Sequence, residues 1–249
     1  MDFIKFQAKK NDTLEIAKGN MPNASPLFVY AYNDDVDRNN NYELWDVKGN
    51  YTFSNTADIN TVVSDDNSDN GLIIISGLDA NYEQVEQFVQ LAGTTPVQFL
   101  NLLRVSRIRI ADKLNTGNIT CYIDGGSPFT DADIRGRINA GFGKTHMGIY
   151  TVPRGYTAFI NVLTARVRRR GSTGDISSTI HAEVRLPNSA FVKEMLLPMH
   201  TEGGQQDIRS DNYIKIPEMS DIRIKVYNDS ANNGVFSVDF SGILLKGNY

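Results

Sequence analysis

Histidine and cysteine, the side chains most often used as base, nucleophile or metal ligand, are scarce in this chain. Three histidines (His146, His181 and His200) and one cysteine, Cys121, are spread over 249 residues. No two histidines have the H-x-H or H-E-x-x-H spacing that would place both imidazoles on one metal ion. Cys121 lies in the apolar run Ile119-Thr120-Cys121-Tyr122-Ile123, a context in which burial leaves a thiol inert. There is no G-x-S-x-G nucleophile elbow. Gly143-Lys144-Thr145 ends like a phosphate-binding loop, but Ile138 stands where the first glycine of that motif belongs. The segment also runs on into a strand pattern, whereas phosphate binding needs the N-terminus of a helix.

Two acidic loops, residues 34–39 and 65–71, are similar to calcium loops. Asp65, Asn67 and Asp69 alternate like the first half of an EF-hand. The twelfth position, however, is Ser76, which cannot give the bidentate carboxylate that closes such a site. Solvated Asx turns explain both loops as well. No catalytic residue, metal or cofactor is therefore assigned. Two features remain as candidate partner contacts. One is the basic strand end Arg166, Arg168, Arg169 and Arg170, suited to an acidic patch on another subunit. No aromatics interleave with these arginines, and the chain is acidic overall, so nucleic acid is not the expected partner. The other is Trp45, beside Asp46, which at an exposed loop tip would suit a host glycan.

The composition frames these candidates. Hydrophobic residues at 41% and charged residues at 22% are those of a folded globular protein, and 10% aromatics favour strands. No stretch approaches the roughly 20 apolar residues of a membrane helix, and the N-terminus lacks the apolar core of a secretory signal. A lone cysteine excludes an intramolecular disulfide and fits a reducing cytoplasm. Residues 1–132 hold 10 Lys/Arg against 18 Asp/Glu, and residues 133–249 hold 15 against 11. Such polarity would suit head-to-tail contact between copies.

The elements that must position these residues are strands. The first 26 residues read as an arm, broken by Pro22 and Pro26, in which Phe6, Leu14 and Ile16 anchor it on a partner or belong to a short helix or strand packed on its own domain. Apolar runs at 27–32, 71–78, 82–93 and 97–111, with a bulge expected near Ser106, make a first β unit over 27–126. The glycine- and proline-containing stretch 125–136 reads as a linker. Beyond it, seven strands with turn signals every 8–15 residues make an antiparallel, jelly-roll-like sandwich over 137–249. The class is all-β: two sandwich units behind an N-terminal arm.

Several stretches carry a resemblance. In the first unit they are ISGLDANYEQVEQFVQLAGTTPV (75–97), LLRVSRIRIA (102–111) and TGNITCYIDGG (116–126). In the second they are INAGFGKTHMGIYTVPRGYTAFI (138–160), LPMHTEGG (197–204) and residues 214–245. In order and spacing the set resembles tandem β-sandwich virion structural proteins of tailed phages, especially marine and cyanobacterial ones. The resemblance implies a non-enzymatic particle component assembled in the host cytoplasm. Its partners would be copies of itself and other virion proteins of the capsid or tail. Capsid decoration or a vertex position comes first, and a tail or fibre protein that binds a host glycan comes second.

Overall fold

A computed structural model describes residues 12–170, 176–201 and 204–247. It is all-β. One short helix, α1 (Asp12–Ala17), precedes sixteen strands: β1 (Ala24–Val36), β2 (Asn40–Glu43), β3 (Ile59–Ser64), β4 (Leu72–Leu78), β5 (Gln84–Gln90), β6 (Val97–Leu102), β7 (Arg104–Ile110), β8 (Ile119–Ile123), β9 (Ile134–Ile138), β10 (Ile149–Thr151), β11 (Tyr156–Arg169), β12 (Ile176–Arg185), β13 (Phe191–Thr201), β14 (Gly204–Ile216), β15 (Asp221–Asn228) and β16 (Gly234–Lys246). No helix among the described residues is long and apolar enough to cross a membrane.

The strands form two sandwiches. In the larger, β1-β16-β11-β14 faces a second sheet, β10-β15-β12-β13, with β2 also paired to β15. Both β2 and β10 lie along the free side of β15, against residues 225–228 and 221–223. Ile224 between them donates its N–H to Gly148 and accepts from Leu44, so the two short strands act as one interrupted edge strand. Counted that way there are eight strands. The first pairs with the eighth, the second with the seventh, the third with the sixth and the fourth with the fifth. Rolling this long hairpin up, so that β16 meets β11 and β15 meets β12, gives a jelly roll. Its core comes from strict alternation: Ala165 and Val167, Ile180 and Ala182, Ile222, Ile224 and Val226, and Phe236, Val238 and Phe240 all point inward.

Between Leu44 and Gly148 the chain makes an excursion that is a second sandwich, β6-β3-β8-β9 over β5-β4-β7. Its core is Ile- and Val-rich, with Cys121 at its centre. Burial pushes the Cys121 thiol well above its usual range, which keeps it protonated.

The boundaries therefore differ from the sequential reading. Residues 27–43, read as the start of the first unit, supply β1 and β2 to the jelly roll. The stretch 125–136, read as a linker, lies within the inserted sandwich, where β9 pairs with β8. The physical reason is non-local pairing, because composition marks loops but not which strand a strand will meet. The arm holds a short packed helix, the second of its two readings. Residues 12–17 form a helix that buries Ile16, and Pro26 sits inside β1. Proline is tolerated there because β1 is an edge strand. Phe6 lies outside the described residues.

Each sandwich has a bulge with a glycine opposite. Ser106 is the extra residue between the Gly77–Val105 and Ser76–Arg107 pairs, as expected from the alternation. Asn161 is its counterpart in β11, where Ile160 pairs with Gly242 and Val162 with Ser241. A Cβ on Gly77 would run into the Arg104 carbonyl oxygen, and one on Gly242 into that of Phe159. Gly77→Ala and Gly242→Ala should each destabilise by about 1–3 kcal/mol. The measurement is the urea midpoint; an unchanged midpoint for both would show that the bulges relax at no cost.

Candidate functional site: a sealed junction and an open strand edge

Both sandwiches offer charged or apolar surface, but only some of it is available to a partner. The outer face of the jelly-roll sheet containing β15 and β12 carries Asp221, Arg223 and Lys225 opposite Arg185, Glu183 and His181. The outer positions build a charged ladder, with opposite charges at Asp221–Arg185 and Arg223–Glu183 and with Lys225 facing His181. Arg223 bonds Glu43 at 2.5 Å and Glu183 at 2.8 Å. Arg185 bonds Asp221 at 2.5 Å. The other oxygen of Asp221 takes Arg104 Nε at 3.2 Å and the Thr151 hydroxyl at 2.6 Å.

Arg104 belongs to the inserted sandwich, so Asp221 ties the two units together. Arg104 also donates to the carbonyls of Ser54 and Leu103. Phe53 lies beneath the guanidinium groups of Arg104 and Arg185, and Phe191 beneath those of Arg185 and Arg223, the last at 3.7 Å. Glu43 is fully buried; burial pushes its carboxyl above the usual range against the opposing pull of Arg223 and the Tyr51 N–H. Nothing local to β7 marks Arg104 as part of this ladder, because it carries the same charge as Arg107 and Arg109 in the same strand. Its one visible signal is the alternation of charges in β12 and β15.

Trp45 is a correction. It is fully buried with Val47, Tyr51, Ile134, Met147 and Ile149 in a third core that fills the junction. Its Nε1 donates to the Gly49 carbonyl at 3.2 Å, and Tyr51 meets its ring edge-on. It offers no face to a glycan. Its neighbour Asp46 accepts the His146 N–H and faces His146 Nδ1 at 3.6 Å. Burial pushes the Asp46 carboxyl up.

The four arginines do not form one patch. Arg166 and Arg168 are exposed on the outer face of β11, between buried Ala165 and Val167. The side chain of Arg169 lies outside the described residues. Arg170 is ion-paired with Asp35 of β1, which also holds Lys48 at 2.8 Å and the Asn233 amide at 2.9 Å. Arg170, then Lys48, hold the Asp35 carboxyl well below the usual carboxylate range.

The acidic loop at 65–71 is likewise engaged. Asp69 accepts the backbone N–H groups of Thr116 and Gly117, and Asp65 those of Asn118. These carboxylates staple two loops together. His181 stands 3.6 Å from Glu183, which Arg223 already occupies, and the His200 side chain lies outside the described residues. Among the described residues no three of His, Cys, Asp and Glu converge as a metal cage.

Among the described residues, one open stretch is a side of the inserted sandwich. The free side of β7 is covered by residues 143–145, which bond Ile108 and Ile110. Among the described residues, strands β5 and β6 have no such backbone cover. Phe88 on one outer face is 66% exposed, and Leu100 on the other is 77% exposed. Between them the Gln87 side chain donates to the Leu100 carbonyl and accepts its N–H, both at 2.8 Å. One amide side chain thus stands in for a strand, on an edge that neither lysine nor proline guards within β5 or β6.

No family model matches the chain, and no curated protein matches it. Solved structures are similar only at a distance. The cowpea mosaic virus empty virus-like particle aligns with 78% of this chain and 84% of its own, at 7% identity and a TM-score of 0.26. The infectious bursal disease virus Gt strain structure aligns with 91% and 74%, at 10% identity and a TM-score of 0.23. An Arthrobacter globiformis isomalto-dextranase complexed with panose aligns with 86% and 36%, at 12% identity and a TM-score of 0.23. At such scores none of these bears on the role of this chain.

Two outcomes test the electrostatics. Asp221→Asn weakens the attraction for the buried Arg104 and the half-buried Arg185 and should cost more than Arg104→Met, each within about 3–5 kcal/mol, by urea denaturation. Asp35→Asn should destabilise the protein at pH 7. Because the folded pKa of Asp35 is depressed, its contribution is full above the unfolded pKa and fades as pH falls toward the folded value. The gap between wild type and Asp35→Asn should narrow as pH drops below the usual carboxylate range; a pH-independent gap would contradict the ion pair.

Proposed function

We propose that this chain is a non-enzymatic bacteriophage virion structural protein, a capsid decoration or vertex component that acts through subunit–subunit contacts. The observation that supports this reading best is the uncovered β5–β6 edge, flanked by exposed Phe88 and Leu100. An edge strand with unpaired backbone groups is a template for another strand, and apolar side chains beside it add the burial that association needs. The resemblance of residues 70–249 to tandem β-sandwich virion proteins points the same way. Jelly rolls also serve lectins and cupins, so the fold alone assigns no role.

An enzymatic reading finds no acid–base pair at the junction, because Glu43, Glu183 and Asp221 are each held by guanidinium groups. The tail or fibre reading, with Trp45 as a sugar platform, loses that residue to the core.

Size-exclusion chromatography with light scattering should show an oligomer, or pull-down should show binding to capsids stripped of this protein. Phe88→Asp with Leu100→Asp should lower assembly at least tenfold while leaving the unfolding free energy from urea denaturation within about 0.5 kcal/mol of wild type, since both residues are exposed. A wild-type monomer that binds no capsid, or a double variant that assembles normally, overturns the reading.

A further inference from the structure

The outer face of the inserted sheet β6-β3-β8-β9 carries a groove of about 710 Å³, within the size range of sites that hold small ligands. Its floor includes Thr120 and Tyr122 from β8. Its walls are Pro96, from the turn between β5 and β6, and Pro128-Phe129, from the loop between β8 and β9. Phe129 is 85% exposed, the highest value among the large hydrophobic side chains. Arg137 of β9 lines the same groove.

Arg137 differs from the other arginines of the half-buried and buried interior. Arg104, Arg185 and Arg223 are each paired with carboxylates, and Arg135, two residues away, bonds two carbonyls and the Ser54 hydroxyl at 2.7–3.0 Å. Arg137 has no salt bridge among the described residues. Its bonds, to Thr120 Oγ1 and the Pro128 carbonyl, are both 3.4 Å long. Burial pulls its pKa down, with Asp131 and Asp65 offsetting part of this from a distance. A withdrawn guanidinium with five donors and two long bonds has capacity for a carboxylate, which it would take in bidentate fashion.

The surroundings define what carries that carboxylate. The floor strands β3 and β8 are interior strands whose backbone groups are used in the ladder, so an extended peptide finds no strand edge here. What the groove offers instead is hydroxyl groups, from Thr94, Thr120 and Tyr122, and the rings of Tyr122 and Phe129, with the one lining carboxylate, Asp65, engaged by the Asn118 backbone and side-chain N–H groups. Hydroxyls and aromatic faces match the alternating polar and apolar surface of a sugar ring.

We propose that this groove binds an acidic saccharide, a sugar chain bearing carboxylates of the uronic acid type, with Arg137 on a carboxylate and Phe129 packed on a ring face. The groove and the β5–β6 edge use different residues, so this proposal and the assembly reading stand or fall separately.

Isothermal titration of the full chain with a tetrasaccharide of galacturonic acid is the test, against galactose tetrasaccharide and tetraglutamate. Saturable binding of the acidic sugar is expected, at least tenfold tighter than either control. Arg137→Gln and Phe129→Ala should each weaken it at least tenfold. Phe129 is on the surface, so Phe129→Ala remains decisive if Arg137→Gln fails to fold by its melting curve. Absence of saturable binding, equal binding of the neutral sugar or the peptide, or folded variants that bind like wild type would each overturn the proposal. Assembly measured on the same variants should be unchanged.

Discussion

Asp221 is the constraint on which the arrangement of the two sandwiches depends. It stands at the start of β15, where the interrupted edge strand re-enters the jelly roll, and it bonds one arginine from each unit. A buried carboxylate tolerates that position only when its lone pairs are filled. Arg185, Arg104 and Thr151 fill them, and each must then be held in place. Phe53 and Phe191 do this for the guanidinium planes, and the Ser54 and Leu103 carbonyls do it for the remaining donors of Arg104. The apolar cluster around Trp45 closes the same junction from the other side. The result is a unit-to-unit contact built like a core, in which both Asp221 oxygens are hydrogen-bonded. A contact between loosely tethered domains is usually more polar and better hydrated than this.

The sequence is legible wherever a strand reports its own environment. Period-two alternation marks β11, β12, β15 and β16 closely, and the slip at Ser106 marks a real bulge, because inward and outward positions differ in polarity there. Legibility fails in two ways. Strand β3, Ile59–Ser64, is wholly buried yet mixes Asn60, Thr61 and Ser64 with apolar residues, so it shows no alternation. Its polar groups are satisfied locally, as when Thr61 donates to Asn60 at 2.7 Å. The second failure concerns partners. That β1 meets β16 across some two hundred residues, or that Arg104 meets Asp221, has no local signature. Trp45 and Arg170 mislead for this reason: one is enclosed, and the other is already bound to Asp35, by segments remote in sequence.

The point of insertion follows from the economy of sheet hydrogen bonding. An interior strand has neighbours on both sides, so interrupting it breaks two ladders and buries unsatisfied groups. The strand formed by β2 and β10 pairs only with β15, so interrupting it endangers a single ladder. Even that loss is repaired at Ile224, whose N–H and C=O are taken by Gly148 and Leu44. Gly148 also donates to the Leu44 carbonyl, and a Cβ there would crowd Leu44, Ile224 and Ala31. A small residue is thus required where the outgoing and returning chains cross. With the excursion fixed at both ends and along the Asp221 junction, the inserted sandwich holds one orientation. The β5–β6 edge and the Arg137 groove both lie on that sandwich, on regular strands and the turns between them. A partner that met such strands would bind without the ordering cost that a flexible segment adds.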